Sequence, residues 1–267
     1  MEKLTIVKVG GGIVESEESL QMLLNKFSNI KGYKLLVHGG GRSATKLAEK
    51  LGVEQTMIGG RRVTDKETLD IVTMVYAGLV NKHIVASLQA IGINSLGLTG
   101  ADMNIIQSHQ RPLKKVKMDD GSIREIDYGF VGDVDKVNAG ILATLIGQNI
   151  VPVLSPLSHN CHGSMLNTNA DTIASETAKA MAEYFDVDLM FCFEKKGVLS
   201  DPDDENSVIP FINKHIFAEL IEKGIINGGM LPKLENSFNA IDHGVKSVII
   251  TMADNIDIPN AGTKLSL

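Results

Sequence analysis

The chain has 267 residues, 43% of them hydrophobic, which is enough to build one large domain or two closely packed lobes around a substantial core. Its formal net charge of -6 and 4% aromatic content provide no basic stripe or stacking platform for nucleic acid. Signal-peptide and membrane-helix patterns are not evident, and the two distant cysteines form no CxxC pair, so we expect a cytoplasmic protein that acts on a small molecule.

Apolar, β-branched runs alternate with helical patterns along the chain. This alternation predicts an α/β fold with a largely parallel sheet. The predicted strands are residues 4–9, 34–38, 93–98, 150–156, 187–193 and 246–251. No linker interrupts the pattern, so we place a soft boundary near residue 170, between an N-terminal lobe (1–170) and a C-terminal lobe (171–267).

Helices are predicted in most of the gaps. Ser16 is a suitable N-cap for a helix with one apolar stripe, and a second stripe follows the sequence "HGGG" directly. The sequence "TDKE" at residues 64–67 fits a capping box that opens a long helix. The stripes consist of Leu20, Leu23, Leu24 and Phe27 in the first helix, Ala44, Leu47, Ala48 and Leu51 in the second, and Val72, Tyr76 and Leu79 in the third.

Two stretches break the alternation. Residues 114–134 alternate polar with apolar around Asp120-Gly121, which is typical of a hairpin and allows a flap. The stretch "LSHNCHGSMLNTNAD" is a glycine-containing turn whose Asn and Asp residues suit the start of a helix at 172–182. It also places His159, Cys161 and His162 close together, but three ligands in one turn without a fourth are more often incidental, and we expect no metal site.

Two glycine clusters, Gly10 to Gly12 and Gly39 to Gly41, each follow a predicted strand and lead into a helix. Ligands of an open parallel sheet bind at this edge, and glycine lets backbone N–H groups approach an anion closely. The sequence "HGGGRSA" also satisfies GxGxxA, but the acidic residue of a dinucleotide site is not evident about 20 positions later, and no P-loop is present. Two such loops together favour an anion site.

Two lysines accompany these glycines. Lys8 has the apolar neighbours of a buried strand, where an ammonium is costly unless it meets negative charge. Lys233 lies one helical turn after the pair Gly228 and Gly229. Between them in sequence, Asp171 stands at a helix start, where it either caps the helix or holds both lysines.

The segments "KVGGG", "HGGG", "RRVTD", "MLNTNAD" and "GGMLPK", in this order and at these separations, resemble the amino acid kinase family. Within it, they are most similar to the members that phosphorylate N-acetylglutamate for arginine biosynthesis. The resemblance runs from Leu4 to about Thr263. It implies a three-layer αβα sandwich with a central, mainly parallel open sheet. It also implies an N-terminal lobe that binds an N-acyl-L-glutamate and dimerises, and a C-terminal lobe that binds ATP.

The resemblance also implies the roles of individual residues. Lys8 and Lys233 would stabilise the transferring phosphoryl group, Asp171 would orient both lysines, and the N–H groups of Gly11 and Gly40 would meet its oxygens. The substrate would be held by Gly40, Gly41, Arg62 and Asn167. The nucleotide would contact Gly10, Gly12, Glu194, Lys196, Gly197, Val198, Leu199, Ile225, Ile226 and Asn227.

The predicted chemistry needs no general base, because a side-chain carboxylate is already ionised at pH 7. What the reaction needs is relief of repulsion between two anions and their in-line placement. We expect Mg²⁺ to be carried by the ATP phosphates, because this ion commonly keeps its waters and takes few protein ligands.

Three features depart from the family pattern. The nucleotide segment reads "FEKKGV" where relatives read much like "TDVPGV", which adds Lys195 and Lys196 and replaces the aspartate with Glu194. Arg61 replaces a residue that is commonly apolar, so it either faces solvent or pairs with a second carboxylate on the acyl group, as in succinylglutamate. The N-terminal helix of arginine-inhibited hexamers is absent, which favours a homodimer without arginine feedback.

Other functions remain open at this point. The chain could be a kinase of the same fold for aspartate, glutamate, carbamate or a nucleotide monophosphate. It could also be a non-catalytic amino acid or nucleotide sensor on this scaffold. A dehydrogenase is only weakly supported by the sequence "HGGGRSA".

Overall fold

The structure is a computed structural model that describes residues 1–118, 121–227 and 230–267. Its strands are β1 (Lys3–Val9), β2 (Tyr33–His38), β3 (Met57–Ile58), β4 (Arg61–Arg62), β5 (Ser95–Leu98), β6 (Ile106–Gln110), β7 (Lys114–Lys117), β8 (Ile123–Ile126), β9 (Gly132–Val137), β10 (Val151–Leu154), β11 (Leu157–His159), β12 (Met165–Asn167), β13 (Asp186–Phe193), β14 (Phe211–Ile212), β15 (Ser247–Met252) and β16 (Thr263–Leu265). Its α-helices are α1 (Gly11–Glu15), α2 (Glu17–Asn29), α3 (Gly41–Leu51), α4 (Lys66–Thr73), α5 (Asn81–Ala90), α6 (Ala139–Gly147), α7 (Ala170–Met181), α8 (Lys214–Glu222) and α9 (Met230–Asp242).

One eight-stranded sheet organises the molecule, in the order β14-β16-β15-β13-β1-β2-β10-β5. The six strands from β15 to β5 are parallel to their neighbours, whereas β16 runs antiparallel to β15. All six strands predicted from the sequence are present in this sheet, with ends that differ by two residues at most. The chain is therefore α/β with a mainly parallel central sheet, as predicted.

The two faces of the sheet bury separate clusters of apolar side chains. Because side chains alternate along a strand, Leu4 and Ile6 of β1 join the cluster under α6, α7 and α9, and Val7 and Val9 join the cluster under α2, α3 and α4. This arrangement is the predicted three-layer αβα sandwich. The same alternation places Lys8 on the Leu4 and Ile6 face, toward the start of α7.

Local sequence explains the first helix of the N-terminal half. The Ser16 side chain accepts a hydrogen bond from the Ser19 N–H at 3.2 Å, so Ser16 is the N-cap of α2, as predicted. The four predicted stripe residues of α2 are all buried. In α3 only half of the predicted stripe is buried, because Leu47 is half-buried and Leu51, in the last turn, is exposed.

The long helix predicted after residue 64 runs without interruption from Lys66 to Ala90, but two details of the prediction are wrong. Its N-cap is Asp65, whose side chain accepts from the Thr68 N–H at 2.8 Å, whereas the predicted cap, Thr64, pairs through its N–H with the Tyr128 carbonyl. Residues Met74–Val80 form a π-helix, whose wider turn contains more residues than a turn of α-helix. The helical register therefore shifts, and Leu79 is 66% exposed instead of continuing the apolar stripe.

The segment Lys66–Ala90 is also the one described helix that is long and apolar enough to cross a membrane by length and composition alone. Core helices of globular proteins pass the same test, and Leu69, Val72, Ile84 and Leu88 are buried in the cluster beside β1 and β2. We therefore interpret this segment as a core helix.

The two irregular stretches form hairpins. Strands β7 and β8 pair antiparallel, as predicted, although the hairpin ends at Ile126 and the following β9 pairs with β6 instead. Asp120 of the predicted turn lies outside the described residues. Strands β11 and β12 form the second hairpin and lead into α7, which begins at Ala170, two residues before the predicted start.

Candidate active site

The two glycine loops lie against each other at the carboxyl ends of β1 and β2. The Gly39 N–H donates to the Val9 carbonyl at 3.0 Å, and a Cβ at Gly39 would approach the Gly11 nitrogen to 3.1 Å. A Cβ at Gly11 would in turn stand 3.7 and 3.8 Å from the nitrogens of Gly40 and Gly41. The contact at Gly39 would be tighter than nine in ten real Cβ contacts, whereas a Cβ at Gly11 would make an ordinary one, and the packing gathers several N–H groups in one place.

His38 holds the second glycine loop, Gly39 to Gly41, through a hydrogen bond to its backbone. Its Nδ1 is 2.7 Å from the Gly39 carbonyl oxygen, which can only accept, so Nδ1 carries the proton. Its Nε2 therefore accepts from the Asn81 amide, whose nitrogen also donates to the Val153 carbonyl. Complete burial lowers the pKa of His38 to about 4, which keeps the ring neutral at pH 7.

Tyr76, on the π-helical segment, packs under the same loop. A Cβ at Gly40 would stand 2.9 Å from the Tyr76 Cδ1, closer than real Cβ contacts allow. Burial raises the pKa of the Tyr76 hydroxyl, and the nearby Arg62 opposes that rise. The buried Tyr76 ring therefore packs directly against the backbone of Gly40 and leaves no room for a side chain there.

Lys8 and Asp171 form the central ion pair, with Nζ and Oδ1 2.7 Å apart. The Lys8 side chain is 10% exposed, and Asp171 brings it the negative charge that a buried ammonium requires. Asn169, not Asp171, caps α7, since its side chain accepts from the N–H groups of Asp171 and Thr172. Asp171 therefore does not cap the helix, and it pairs with Lys8; among the described residues it forms no ion pair with Lys233, so its expected role of holding both lysines stays a prediction.

Lys233, near the start of α9, reaches the same region from the other side. Its Nζ is 4.2 Å from the centroid of the Phe193 ring, and the Lys8 Nζ is 5.8 Å from that centroid. Lys233 and Asp171 line one cavity together. The structure thus brings Lys8, Asp171 and Lys233 together around one aromatic ring, although they are separated by up to 225 positions in the sequence.

The cavity beside the second glycine loop has a volume of about 220 Å³ and contains the predicted substrate residues Gly40, Gly41, Arg61, Arg62 and Asn167. The buried Arg62 is held by the Gly41 carbonyl at 2.9 Å, the Thr45 hydroxyl at 3.0 Å and the Gln55 side chain. The Asn167 amide donates to the Thr64 hydroxyl at 2.9 Å, which fixes its orientation and leaves its oxygen as an acceptor.

A second arginine, Arg111, lines this cavity beside Arg61. Arg111 is 8% exposed and binds Asp133 through Nε and Nη2, whereas its buried Nη1 has no hydrogen-bond partner among the described residues. These contacts lower the pKa of Asp133, the Arg111 hydrogen bond being the main cause. Burial, and then the charge of Arg111, lower the pKa of Arg61. This end of the cavity therefore favours an anion.

The first glycine loop borders another cavity, of about 500 Å³, together with Glu194, Lys195, Gly197 and Lys233. Arg42, in the first turn of α3, stands over Gly12, where a Cβ would come within 3.1 Å of its Nη1. Arg42 pairs with Glu194 at 3.6 Å, and both side chains are mostly exposed. Cationic side chains outnumber the single carboxylate in this cavity, which suits a polyphosphate.

Several predicted nucleotide residues do not line this cavity. Ile226 is buried in the core, and Val198 is buried with its N–H bound to the Thr263 hydroxyl. Lys196 is turned toward Asn206. The residues of the predicted set that do line it are Gly10, Gly12, Glu194 and Gly197; those that do not are Lys196, Val198, Leu199, Ile225, Ile226 and Asn227.

The cavities adjoin. The cavity beside the second glycine loop and the cavity beside the first share Gly11 and Gly41, and the latter shares Phe193 and Lys233 with the cavity that contains Asp171. Two ligands bound in them would meet at the glycine loops beside the lysines. Such an arrangement holds two anionic reactants end to end and neutralises their repulsion. No group of three His, Cys, Asp or Glu suited to a metal occurs among the described residues.

Sequence reasoning missed several residues of this region, among them Tyr76, Asn81, Arg111 and Phe193. Tyr76 and Phe193 resemble ordinary core residues in their local patterns, and nothing near Asn81 or Arg111 in sequence indicates a partner. Their roles come from contacts between distant segments, such as that of Asn81 with His38, 43 positions away.

Comparison with known proteins identifies the group to which this site belongs. The sequence profile described as "Amino acid kinase family" matches residues 3–252. An acetylglutamate kinase of Phocaeicola vulgatus and one of Parabacteroides distasonis are each 64% identical over 256 residues, with 96% of either chain covered. The crystal structure of smu.665 from Streptococcus mutans UA159 superposes with a TM-score of 0.74 at 28% identity, covering 98% of both chains.

The matched span includes both glycine loops, Lys8, Asp171 and Lys233, so the geometry and the comparison concern the same residues. They agree with the resemblance noted in the sequence motifs. The chain belongs to the amino acid kinase family.

Proposed function

We propose that this protein transfers the γ-phosphoryl group of ATP to the side-chain carboxylate of an N-acyl-L-glutamate, giving an acyl phosphate in arginine biosynthesis. One observation carries the proposal: Lys8, paired with Asp171, and Lys233 meet around Phe193, between two adjoining cavities joined by glycine amides. The names of relatives that share 64% of the sequence, acetylglutamate kinases, indicate the acceptor.

In the proposed reaction a carboxylate oxygen forms a bond to the γ-phosphorus while the bond to the β,γ-bridging oxygen breaks, and ADP leaves with that electron pair. The acceptor is already ionised, so no proton has to be removed. Lys8 and Lys233 offset the charge of the migrating group, Asp171 holds Lys8 in place, and the N–H groups of Gly11 and Gly40 donate to the phosphoryl oxygens.

Mg²⁺ would neutralise part of the charge on the nucleotide phosphates. We propose that this ion comes with the nucleotide, because Mg²⁺ commonly keeps most of its waters and takes few protein ligands.

The remaining site assignments follow the cavities. Arg62, Asn167, Gly40 and Gly41 would bind the α-carboxylate and amide of the acceptor. Glu194, Gly10, Gly12 and Gly197 would face the nucleotide, and Lys195 would join them. We propose Lys196, Val198, Leu199, Ile225, Ile226 and Asn227 as nucleotide contacts only by resemblance, since they lie away from the described cavity.

The decisive experiment measures ADP release with purified protein, MgATP and a panel of acceptors. The panel contains N-acetylglutamate, N-succinylglutamate, glutamate, aspartate, carbamate and nucleotide monophosphates. Turnover confined to the N-acylglutamates, with hydroxylamine trapping of the acyl phosphate, supports the proposal. Preference for another acceptor would reassign the enzyme within the family, and nucleotide binding without turnover on any acceptor would indicate a sensor.

We further propose that the acyl group carries its own carboxylate, as a succinyl group does. The proposed substrate cavity is lined by Arg61 and Arg111, and Asp133 is the one carboxylate among the described residues that is found to interact with both cations. The buried Arg111 Nη1 has no hydrogen-bond partner among the described residues, and a carboxylate would provide one. An acetyl methyl group would leave this donor unsatisfied.

This proposal is tested by comparing kcat/KM for N-succinylglutamate and N-acetylglutamate in the wild type, Arg61→Leu and Arg111→Leu. We expect succinyl to be preferred by the wild type and each variant to lose at least tenfold of that preference, mainly through KM. An acetyl preference that neither substitution changes would contradict a second carboxylate while leaving the kinase proposal intact.

The division into lobes 1–170 and 171–267, the cytoplasmic location and a homodimer without arginine feedback remain proposals. The central sheet continues across residue 170, since β1 pairs with β13 along its whole length. Light scattering of the purified protein tests the dimer, and activity measured with and without arginine tests the absence of feedback.

A further inference from the structure

Phe193 is the last residue of β13 and stands where the two lysines meet. Its ring stacks on that of Phe191, with centroids 6.0 Å apart and planes inclined by 16°. Lys233 Nζ lies 4.2 Å from the Phe193 centroid and Lys8 Nζ 5.8 Å from it. The ring also lines both cavities that contain Lys233. The Phe193 ring is therefore held by strand β13 and by Phe191, and it faces the two lysines.

The two lysines are held in different ways. Lys8 has the Asp171 carboxylate, whereas the Lys233 ammonium has no ion pair or hydrogen bond among the described residues and lies 4.2 Å from the centroid of the Phe193 ring. An ammonium at this distance from an aromatic centroid is attracted by the ring's quadrupole. A carboxylate in the same place would neutralise the charge that the phosphoryl group needs, and the ring does not.

We propose that Phe193 is a positioning residue that holds the Lys233 ammonium beside Lys8 before the nucleotide binds and leaves its positive charge available. This inference rests on the proposed function. The attraction is weak enough to be released, because a cation–π contact at a partly exposed site changes an equilibrium constant by less than about tenfold. Charge-assisted hydrogen bonds to phosphoryl oxygens are stronger, so the ammonium exchanges the ring for the phosphoryl group.

The first test compares Phe193→Leu with Phe193→Tyr, which keeps the aromatic face. We expect kcat to fall about fivefold to tenfold in Phe193→Leu, with KM for the acyl acceptor unchanged, and to stay within twofold of wild type in Phe193→Tyr. Both substitutions are repeated in a Lys233→Ala background. There the difference between them should vanish, because the ring acts through Lys233.

A Phe193→Leu loss that persists undiminished in the Lys233→Ala background would show a merely structural role and overturn the inference. Thermal melts check folding of each variant. Phe193→Met serves as a second non-aromatic replacement if Phe193→Leu does not fold.

The second test needs no substrate. Reductive ¹³C-methylation makes the lysine methyl groups visible by NMR, and the Lys233 resonance is assigned by its loss in Lys233→Ala. A methylated ammonium over a ring face should resonate upfield of the exposed lysines, and this shift should disappear in Phe193→Leu and remain in Phe193→Tyr.

An unshifted Lys233 resonance in the wild type would refute the inference, whatever the activity. Absence of turnover by the wild type, with the ring shift present, would instead refute the proposed function. The two failures are therefore distinguishable.

Discussion

The two lysines of the site belong to two regions that hold their ammonium groups in different ways. Lys8 lies within the central strand of the sheet, 10% exposed, and its ammonium is paired with Asp171 at 2.7 Å. Lys233 lies in the first turns of α9, is exposed, and meets the face of Phe193. One cation is fixed by the sheet and a carboxylate, and the other is held by a helix and a ring.

The difference between the two lysines shows that a buried cation and an exposed cation are held by different interactions. A buried charge needs a permanent partner, and strand β1 and the first turn of α7 fix the two members of the pair, Lys8 and Asp171. A cation that must follow a polyphosphate gains from having no permanent counter-charge. We therefore expect substitutions near β1 and β2 to change catalysis and stability together, and substitutions near Glu194 and Lys233 to change catalysis or nucleotide binding alone.

The largest expected effect comes from removing either lysine. Lys8→Ala and Lys233→Ala should each lower kcat by about a hundredfold to a thousandfold, or about 3–4 kcal/mol, because each removes a cation from the migrating phosphoryl group. Folding should be retained in both. Steady-state kinetics with circular dichroism measures the two outcomes, and near-normal turnover by either variant would contradict the assigned roles.

Stability measurements sharpen the comparison of the two lysines, because in the described part of the chain Lys8 has an ion-paired partner and Lys233 has none. Lys8→Ala leaves Asp171 without its counter-charge and should lower the free energy of unfolding. Lys233→Ala should leave that free energy within about 0.5 kcal/mol of wild type. Equal destabilisation by the two substitutions would mean that the regions are held alike.

The next effect is a pH dependence that belongs to the glycine-loop region. The pKa of His38 is about 4 in the folded protein and 6.5 ordinarily. Between pH 4 and pH 6.5, therefore, His38 is protonated in the unfolded chain and neutral in the folded one. The contribution of the neutral His38 to the free energy of unfolding is fully present above pH 6.5 and is lost as the pH falls to about 4. The loss should be about 3 kcal/mol of unfolding free energy.

Urea unfolding at pH 7 and pH 4 measures this dependence. We expect His38→Asn to be less stable than wild type at pH 7 and to lose less stability on acidification, by about that amount. His162, which is exposed, provides the matched control, and His162→Asn should follow the wild-type pH dependence. Parallel pH curves for His38→Asn and wild type would show that the buried ring does not set this slope.

A smaller effect on catalysis is expected when one methyl group is added to the second glycine loop. In Gly40→Ala the new Cβ would stand 2.9 Å from Tyr76 Cδ1, and the buried ring leaves it no room, so the loop and its N–H groups must move. A displacement of that kind should lower kcat about tenfold to a hundredfold. The control is Gly78→Ala on the same long helix, where nothing lies within 4 Å and activity should be unchanged.

Much of the fold could be predicted from the sequence because local patterns determine it. The six strands follow from apolar runs of β-branched residues, and the start of α2 follows from Ser16. The burial of Lys8 was inferred correctly from its apolar neighbours, whereas residue types alone left Asp171 open between a helix cap and a partner of the lysines.

The rest depended on geometry that no local pattern contains. The π-helical turn at Met74–Val80 leaves Leu79 exposed, and a regular period of 3.6 residues cannot predict that change. Arg111 meets Asp133 22 positions away, and Phe193 meets Lys233 only after the sheet and α9 pack. Residues that act through partners distant in sequence were therefore the ones that sequence reasoning missed.

The smallest expected effect concerns Glu194, in the exposed region. Its ion pair with Arg42 spans 3.6 Å with 65% and 81% of the two side chains exposed, so Glu194→Gln should change the free energy of unfolding by less than about 0.5 kcal/mol. Because a carboxylate at the nucleotide cavity repels polyphosphate, its removal should lower KM for ATP about twofold at low salt and hardly at all at high salt. Glu205→Gln, at another exposed position, should change neither quantity. If KM for ATP instead rises tenfold or more, Glu194 binds the nucleotide directly, and this region is as closely fitted to its ligand as the glycine loops are.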